Sequence, residues 1–203
     1  MPMTTSQPSG LPVLLAEIRA CRVCEPHLPL GPRPVLQAGR GARVLVVGQA
    51  PGVRVHETGI PWNDRSGERL RAWMGIGPDV FYDADRVALL PMGYCYPGRG
   101  ASGDLPPRRE CAELWLERVL AELPNIELLL LVGAYAQQHF LANERRATLT
   151  DTVAAWRDYG EHRLPLPHPS PRNQGWFKRH PWFERELVPV LQGRIAAVLG
   201  QAR

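Results

Sequence analysis

Lysine is almost missing from this chain. Lys178 is the only one in 203 residues, and every other basic side chain, histidines aside, is arginine. Chemistry that runs through a Schiff base needs an amine, so it is confined to Lys178 or the N-terminus. Arginine forks suit phosphate recognition, although a GC-rich genome produces the same bias. No apolar run approaches the roughly 18 residues of a membrane span. Residues 1–10 lack the charged start and apolar stretch of a signal peptide; polar and Pro/Ser-rich, they read as a disordered tail on a cytoplasmic protein. The remaining 11–203 suit a single domain better than two, and no internal repeat is visible. Cysteine is scarce, with four residues, and without a secretory signal a disulfide scaffold is not expected. The net charge of +4 favours a polyanionic partner but is too small to specify one.

Four apolar runs are present: Arg43 to Val47, Arg86 to Leu90, Glu127 to Val132 and the shorter Arg163 to Leu166. The first three have the continuous apolar character of strands buried on both faces. Between them lie helical patterns over 11–20, 67–74, 110–122, 134–141, 150–159 and 183–199, the fifth with Thr148 or Thr150 as N-cap. Strands alternating with helices predict βαβ units. The expected fold is therefore a three-layer α/β/α domain with a short, about four-stranded, parallel central sheet. Ligands of such sheets bind beyond the carboxyl ends of the strands, which singles out the loops 48–64, 91–107 and 168–181.

The first loop opens with Gly48-Gln49-Ala50-Pro51-Gly52, a tight turn whose backbone can approach a ligand closely. It continues through Thr58-Gly59-Ile60-Pro61-Trp62-Asn63-Asp64 to the start of a helix. An aromatic, an amide and a carboxylate in succession can stack a base, read its edge and handle charge. The plainer roles are core packing for Trp62 and helix N-capping for Asp64. The third loop holds His168 between two prolines, where its backbone has little freedom. Ser170 and Asn173 offer a hydroxyl and an amide to phosphate. Arg172, Lys178 and Arg179 are cations interleaved with aromatics, a combination that suits a flipped or single-stranded base; a rigid Pro-rich connector with a solvated basic face would look similar. The cysteines comprise a C-x2-C pair, Cys21 and Cys24, and then Cys95 and Cys111 sixteen residues apart. Four thiolates of this kind point to structural zinc or an iron–sulfur cluster, with four unrelated buried thiols as the plain alternative.

Together these motifs resemble the uracil-DNA glycosylase superfamily, and most nearly its iron–sulfur branches, families four and five. The likeness runs from about Ala20 to Ala196. It rests on Gly48-Gln49-Ala50-Pro51-Gly52, Thr58-Gly59-x-Pro61-Trp62, the cysteine spacing, and His168-Pro169-Ser170-Pro171-Arg172-Asn173. The resemblance implies a DNA repair enzyme, acting as a monomer, that flips uracil or another deaminated base from DNA. It would then hydrolyse the N-glycosidic bond and leave an abasic site. It also implies a structural [4Fe–4S] cluster on Cys21, Cys24, Cys95 and Cys111, with zinc as the alternative.

Two departures bear on the chemistry. Family four places a glutamate after the first glycine of the turn, where this chain has Gln49. Other branches have Asp or Asn one position later, where it has Ala50, as family five does. Family five draws its carboxylate from the segment before the helix, and Asp64 matches that position if a one-residue gap is accepted. The resemblance thus assigns Asp64 to the sugar and His168 to the leaving base. Gln49, Gly48, Ala50, Pro51 and Gly52 would hold base or water, with Trp62 and Asn63 stacking on and reading the base. Pro171, Arg172 and Asn173 would enter the minor groove, Ser170 would meet a phosphate, and Lys178 and Arg179 would lie along the DNA. Family four also reads uracil through an asparagine near the end of the second strand, where this chain has Pro91-Met92-Gly93; the departure implies either broader base specificity or reduced activity. A relative that binds DNA or a modified base without cleaving it is the main rival, motivated by Gln49 and Ala50. A nucleotide- or phosphate-binding α/β enzyme is the second.

Overall fold

The computed structural model describes residues 10–101 and 103–200, so most of the expected tail over 1–10 lies outside the described residues. Four parallel strands form the central sheet: β1 (Val44–Gly48), β2 (Val87–Pro91), β5 (Leu128–Val132) and β6 (Arg163–Leu166), in the order β2-β1-β5-β6. A small antiparallel hairpin, β3 (Arg99–Gly100) and β4 (Gly103–Asp104), rises from the loop after β2. The helices are α1 (Leu11–Arg19), α2 (Val53–Thr58), α3 (Arg65–Met74), α4 (Pro78–Phe81), α5 (Arg109–Cys111), α6 (Glu117–Ala121), α7 (Ala134–Leu141), α8 (Leu149–Ala154), α9 (Gln174–Arg179) and α10 (Val188–Leu199).

The strand sequences are apolar throughout because both faces of the sheet are covered. Side chains alternate between faces along a strand, and the core divides accordingly. Val44, Val46, Val87, Leu89, Leu128, Leu130, Leu164 and Leu166 pack with Leu70 and Trp73 of α3, Val153 of α8 and Leu191 and Ile195 of α10. Leu45, Val47, Ala88, Leu90 and Leu131 face the other way, onto Leu14 and Ile18 of α1, Val119 of α6 and Ala136 of α7. That is the three-layer α/β/α arrangement expected. Truncating a buried leucine of this kind to alanine costs about 2–5 kcal/mol.

Departures from the expected elements have local causes. The helix expected over 67–74 starts at Arg65, because Asp64 accepts a 2.8 Å hydrogen bond from the Gly67 amide and caps it. Thr148, rather than Thr150, caps α8, accepting from the Asp151 amide. The helix expected over 110–122 is α5 and α6 joined by a π turn over Ala112–Leu116, and the one over 183–199 likewise begins with a π turn, Phe183–Leu187. The first and third loops each contain a six-residue helix, α2 and α9. Each is too short to leave a periodic apolar pattern, and α2 ends at Gly59, whose φ of 72° is left-handed.

Candidate functional site

All four strands point the same way, so their carboxyl ends share one edge of the sheet. At that edge Met92 donates its amide to the Gly48 carbonyl and Gly93 to the Gln49 carbonyl, both at 3.0 Å. The first two loops are thereby stitched together. Gly48 has a steric reason: a Cβ there would stand 2.8 Å from Cζ2 of Trp62. The indole lies directly over the strand end. Trp62 itself holds a φ of 56°, a left-handed conformation that costs a non-glycine residue about 1–3 kcal/mol. The surroundings enforce it. Its carbonyl accepts from Arg71 and from the Tyr82 hydroxyl, each at 3.4 Å, and a Cβ on Gly67 would fall 1.7 Å from that oxygen. Only glycine lets α3 begin so close to Trp62.

The ring of Trp62 stacks on His168, with centroids 5.7 Å apart and planes at 29°. His168 follows β6 and is fixed on two further sides. Its Nδ1 accepts from the Ser170 amide at 3.2 Å, and its carbonyl accepts from Nδ2 of Asn173 at 2.8 Å. A backbone amide can only donate, so Nδ1 carries no proton and the neutral ring bears its hydrogen on Nε2. Burial pushes the His168 pKa below its ordinary value, while the carboxylates of Asp64 and Asp104 pull it upward. The outcome is a neutral imidazole offering one N–H, with two carboxylates in electrostatic range.

Asp64 is the helix cap that the sequence allowed, and its catalytic role is taken up below. One oxygen caps α3 and its charge is felt at His168. Gln49, Ala50, Gly52, Asn63 and Trp62 are half-buried around the turn, and Pro51 is buried. Ser170 accepts the Arg172 amide on its Oγ at 3.2 Å, which leaves the hydroxyl proton free to donate. Asn173 is half-buried, and its Nδ2 donates to the His168 carbonyl, so it also positions the histidine. Pro171, Arg172, Lys178 and Arg179 are exposed, as a DNA-facing role requires.

Two contributors had no marker in the sequence. Asp104 sits on the small hairpin, its Oδ2 3.7 Å from where a Cβ of Gly52 would stand; one residue earlier in the same strand, Arg172 reaches within 2.7 Å of the corresponding position on Gly103. The hairpin thus joins the first loop to the third. Arg69 of α3 donates to the Ser170 carbonyl at 3.5 Å and to Gln174 at 3.0 Å, and lies over the Phe177 ring at 4.9 Å. Neither residue belongs to a local motif; only the loop containing Asp104 was indicated, by the strand-end rule.

A neutral histidine facing carboxylates across a glycine-lined turn at this sheet edge is accompanied by a match in sequence. The family model of the uracil DNA glycosylase superfamily matches residues 37–192. The chain belongs to this superfamily. The match takes in all three loops of the site, together with Cys95 and Cys111, and begins after Cys21 and Cys24. No helix among the described residues is long and apolar enough to cross a membrane.

A second feature of this superfamily member lies on the α1 side of the sheet. Cys21, Cys24, Cys95 and Cys111 line one small apolar pocket with Ile18, Tyr94, Arg108 and Trp115, and none of the four is in a disulfide. Burial pushes the Cys95 thiol up to about 11 and that of Cys111 to about 12. Against that burial, the Arg33 and Tyr94 backbones favour the thiolates of Cys95 and Cys111, and the Arg108 guanidinium favours that of Cys24. Among the described residues no three His, Cys, Asp or Glu side chains are grouped to hold a single metal ion.

Proposed function

We propose that this superfamily member excises uracil, and with it other deaminated bases, from DNA by hydrolysing the N-glycosidic bond. The observation that carries the reading is His168, its Nδ1 occupied by the Ser170 amide so that Nε2 carries the proton, in the field of Asp64. Cleaving the C1′–N bond leaves the bonding electron pair on the base and oxocarbenium character on the sugar. Nε2–H of His168 donates to the base oxygen as negative charge develops there. The Asp64 carboxylate stabilises the sugar cation and orients the water whose oxygen joins C1′. The proton released by that water ends on the departing base. Trp62, stacked on His168, walls the base pocket, with Gln49, Asn63 and the amides of the turn around the base. Ser170 and the exposed Arg172, Lys178 and Arg179 meet the phosphates.

The four cysteines fit a [4Fe–4S] cluster. All four line one pocket and none is in a disulfide, so each can offer a thiolate, one per iron; zinc on the same thiolates is the alternative. Bound there, the cluster would cross-link the segment after α1, the loop after β2 and the start of α5. It takes no part in the reaction at the base.

The test uses oligonucleotides, single- and double-stranded, each carrying one uracil, hypoxanthine or xanthine. Wild-type protein is expected to release the base. Asp64→Asn keeps the helix cap, and it and His168→Ala are each expected to slow release by about 10²–10⁴-fold. Near-wild-type rates in both would overturn the assignment. Gln49 and Ala50, which leave the turn without a carboxylate, favour a second reading: a protein that binds such a base without cleaving it. Tight, lesion-dependent binding with no release by wild-type protein would establish that one instead.

A further inference from the structure

Five buried side-chain atoms among the described residues have no hydrogen-bond partner: His56 Nδ1, Tyr94 Oη, Arg108 Nε, Trp115 Nε1 and Gln137 Oε1. Three of them, on Tyr94, Arg108 and Trp115, belong to residues lining the cysteine pocket. Leaving a buried donor unsatisfied costs about 1–3 kcal/mol, and native proteins hold few such groups. Three in one small apolar pocket therefore call for an acceptor that the chain itself does not supply. All three can donate: a phenol, a guanidinium N–H and an indole N–H. Arg108 is held from its far side by an ion pair with Glu110.

We propose that Tyr94 Oη, Arg108 Nε and Trp115 Nε1 form a hydrogen-bonding cradle for the inorganic group carried by Cys21, Cys24, Cys95 and Cys111, donating to its sulfurs. This rests on the cofactor reading above. Such outer hydrogen bonds orient metal-bound thiolates and tune the group they hold. Arg108 also places a positive charge beside a centre that four thiolates make anionic, in a pocket with little water to do so.

The variants are chosen to remove one donor each while keeping the shape: Tyr94→Phe and Trp115→Phe, with Arg108→Gln removing the charge. Iron and sulfide are measured per chain in full-length protein purified without oxygen. Resonance Raman spectra of the Fe–S stretching modes are then compared in H2O and D2O, and bleaching of the visible band is followed under a ferrous-iron chelator. Wild-type protein is expected to show a deuterium shift of the Fe–S modes. Each Phe variant should retain its iron, lose part of that shift, and bleach several-fold faster; Arg108→Gln should bleach fastest. Unchanged spectra and bleaching in both Phe variants, with iron present, would overturn the cradle alone. Wild-type protein without iron and sulfide would overturn the cofactor reading and the cradle with it.

Discussion

The His168 pocket and the cysteine pocket treat their polar groups in opposite ways. Around His168 the hydrogen bonds close on themselves: the Ser170 amide to Nδ1, Asn173 to the histidine carbonyl, the Gly67 amide to Asp64. What is left over is one ring N–H and the remaining carboxylate oxygens, at an edge open to solvent. Around the cysteines the pocket is apolar, and three donors end without partners. A closed network fixes the direction of the few groups left free, as a site that binds and releases a ligand requires. Orphaned donors mark a place where a permanent occupant completes the structure. On the function proposed above, one pocket would govern rate and the other stability.

The sharpest test of that contrast is a double dissociation. Cys111→Ala is expected to lose bound iron and to lower the melting temperature by more than any substitution at the His168 pocket, since a structural metal site contributes directly to folding. His168→Ala should slow base release by about 10²–10⁴-fold while changing stability by only about 1 kcal/mol. If Cys111→Ala melted like wild type, the cysteine pocket would have no structural role.

Gly48→Ala comes next. Its Cβ would meet Trp62 at 2.8 Å, pushing the indole against His168. Displacing a catalytic group by about 1 Å can cost 10²-fold in rate, so base release should fall by about 10–100-fold in a protein that still unfolds cooperatively in urea. A wild-type rate would mean that the Trp62–His168 stack does not set the histidine's position.

Asp64 combines the two kinds of contribution, and two substitutions separate them. Asn caps a helix about as well as Asp, whereas Ala does not. Asp64→Ala should therefore be about 1 kcal/mol less stable than Asp64→Asn in denaturant titrations, with both slow in base release.

The smallest effect is in pH. The folded pKa of His168 lies below its ordinary 6.5, through burial. The stability tied to its neutral form is thus complete above 6.5 and is lost only as pH falls through the lower, folded value. The acid limb of base release should follow, lying below 6.5. Asp64 and Asp104 pull this pKa upward, so Asp104→Asn should move the limb further toward acid. A limb displaced toward neutral pH would contradict the arrangement of charges around the ring.

The apolar runs and their intervening helical patterns predicted a short parallel sheet with helices on both faces, and that is the architecture present. Such runs are legible because a strand covered on both sides has no solvent-facing residues to interrupt it. The turn 48–52, Trp62, Asp64 and His168 were legible for a related reason: they sit in short, compositionally unusual segments that follow strands. Asn173 was marked as a residue of interest, but its role was not; whether an amide faces outward or back to a carbonyl five residues earlier depends on the turn that Ser170 caps. Asp104 was readable only as part of the loop 91–107, and Arg69 not at all. Asp104 reaches the site through the hairpin, and Arg69 through the packing of α3 on α9.

The sequence by itself determined the sheet, the positions of the three loops at its edge and the four thiols, because periodicity and local motifs depend on near neighbours along the chain. Tertiary structure alone decided that the indole of Trp62 lies between Gly48 and His168, that His168 is neutral with its hydrogen on Nε2, and that three donors converge beside the cysteines. The indole's place depends on approaches between segments 14 and more than 100 residues apart, the donors' convergence on three separate segments, and the tautomer on a turn whose Ser170 amide reaches back to Nδ1; no local pattern encodes these. The four cysteines that pointed to a bound group were readable as residues; the unsatisfied donors facing them were not.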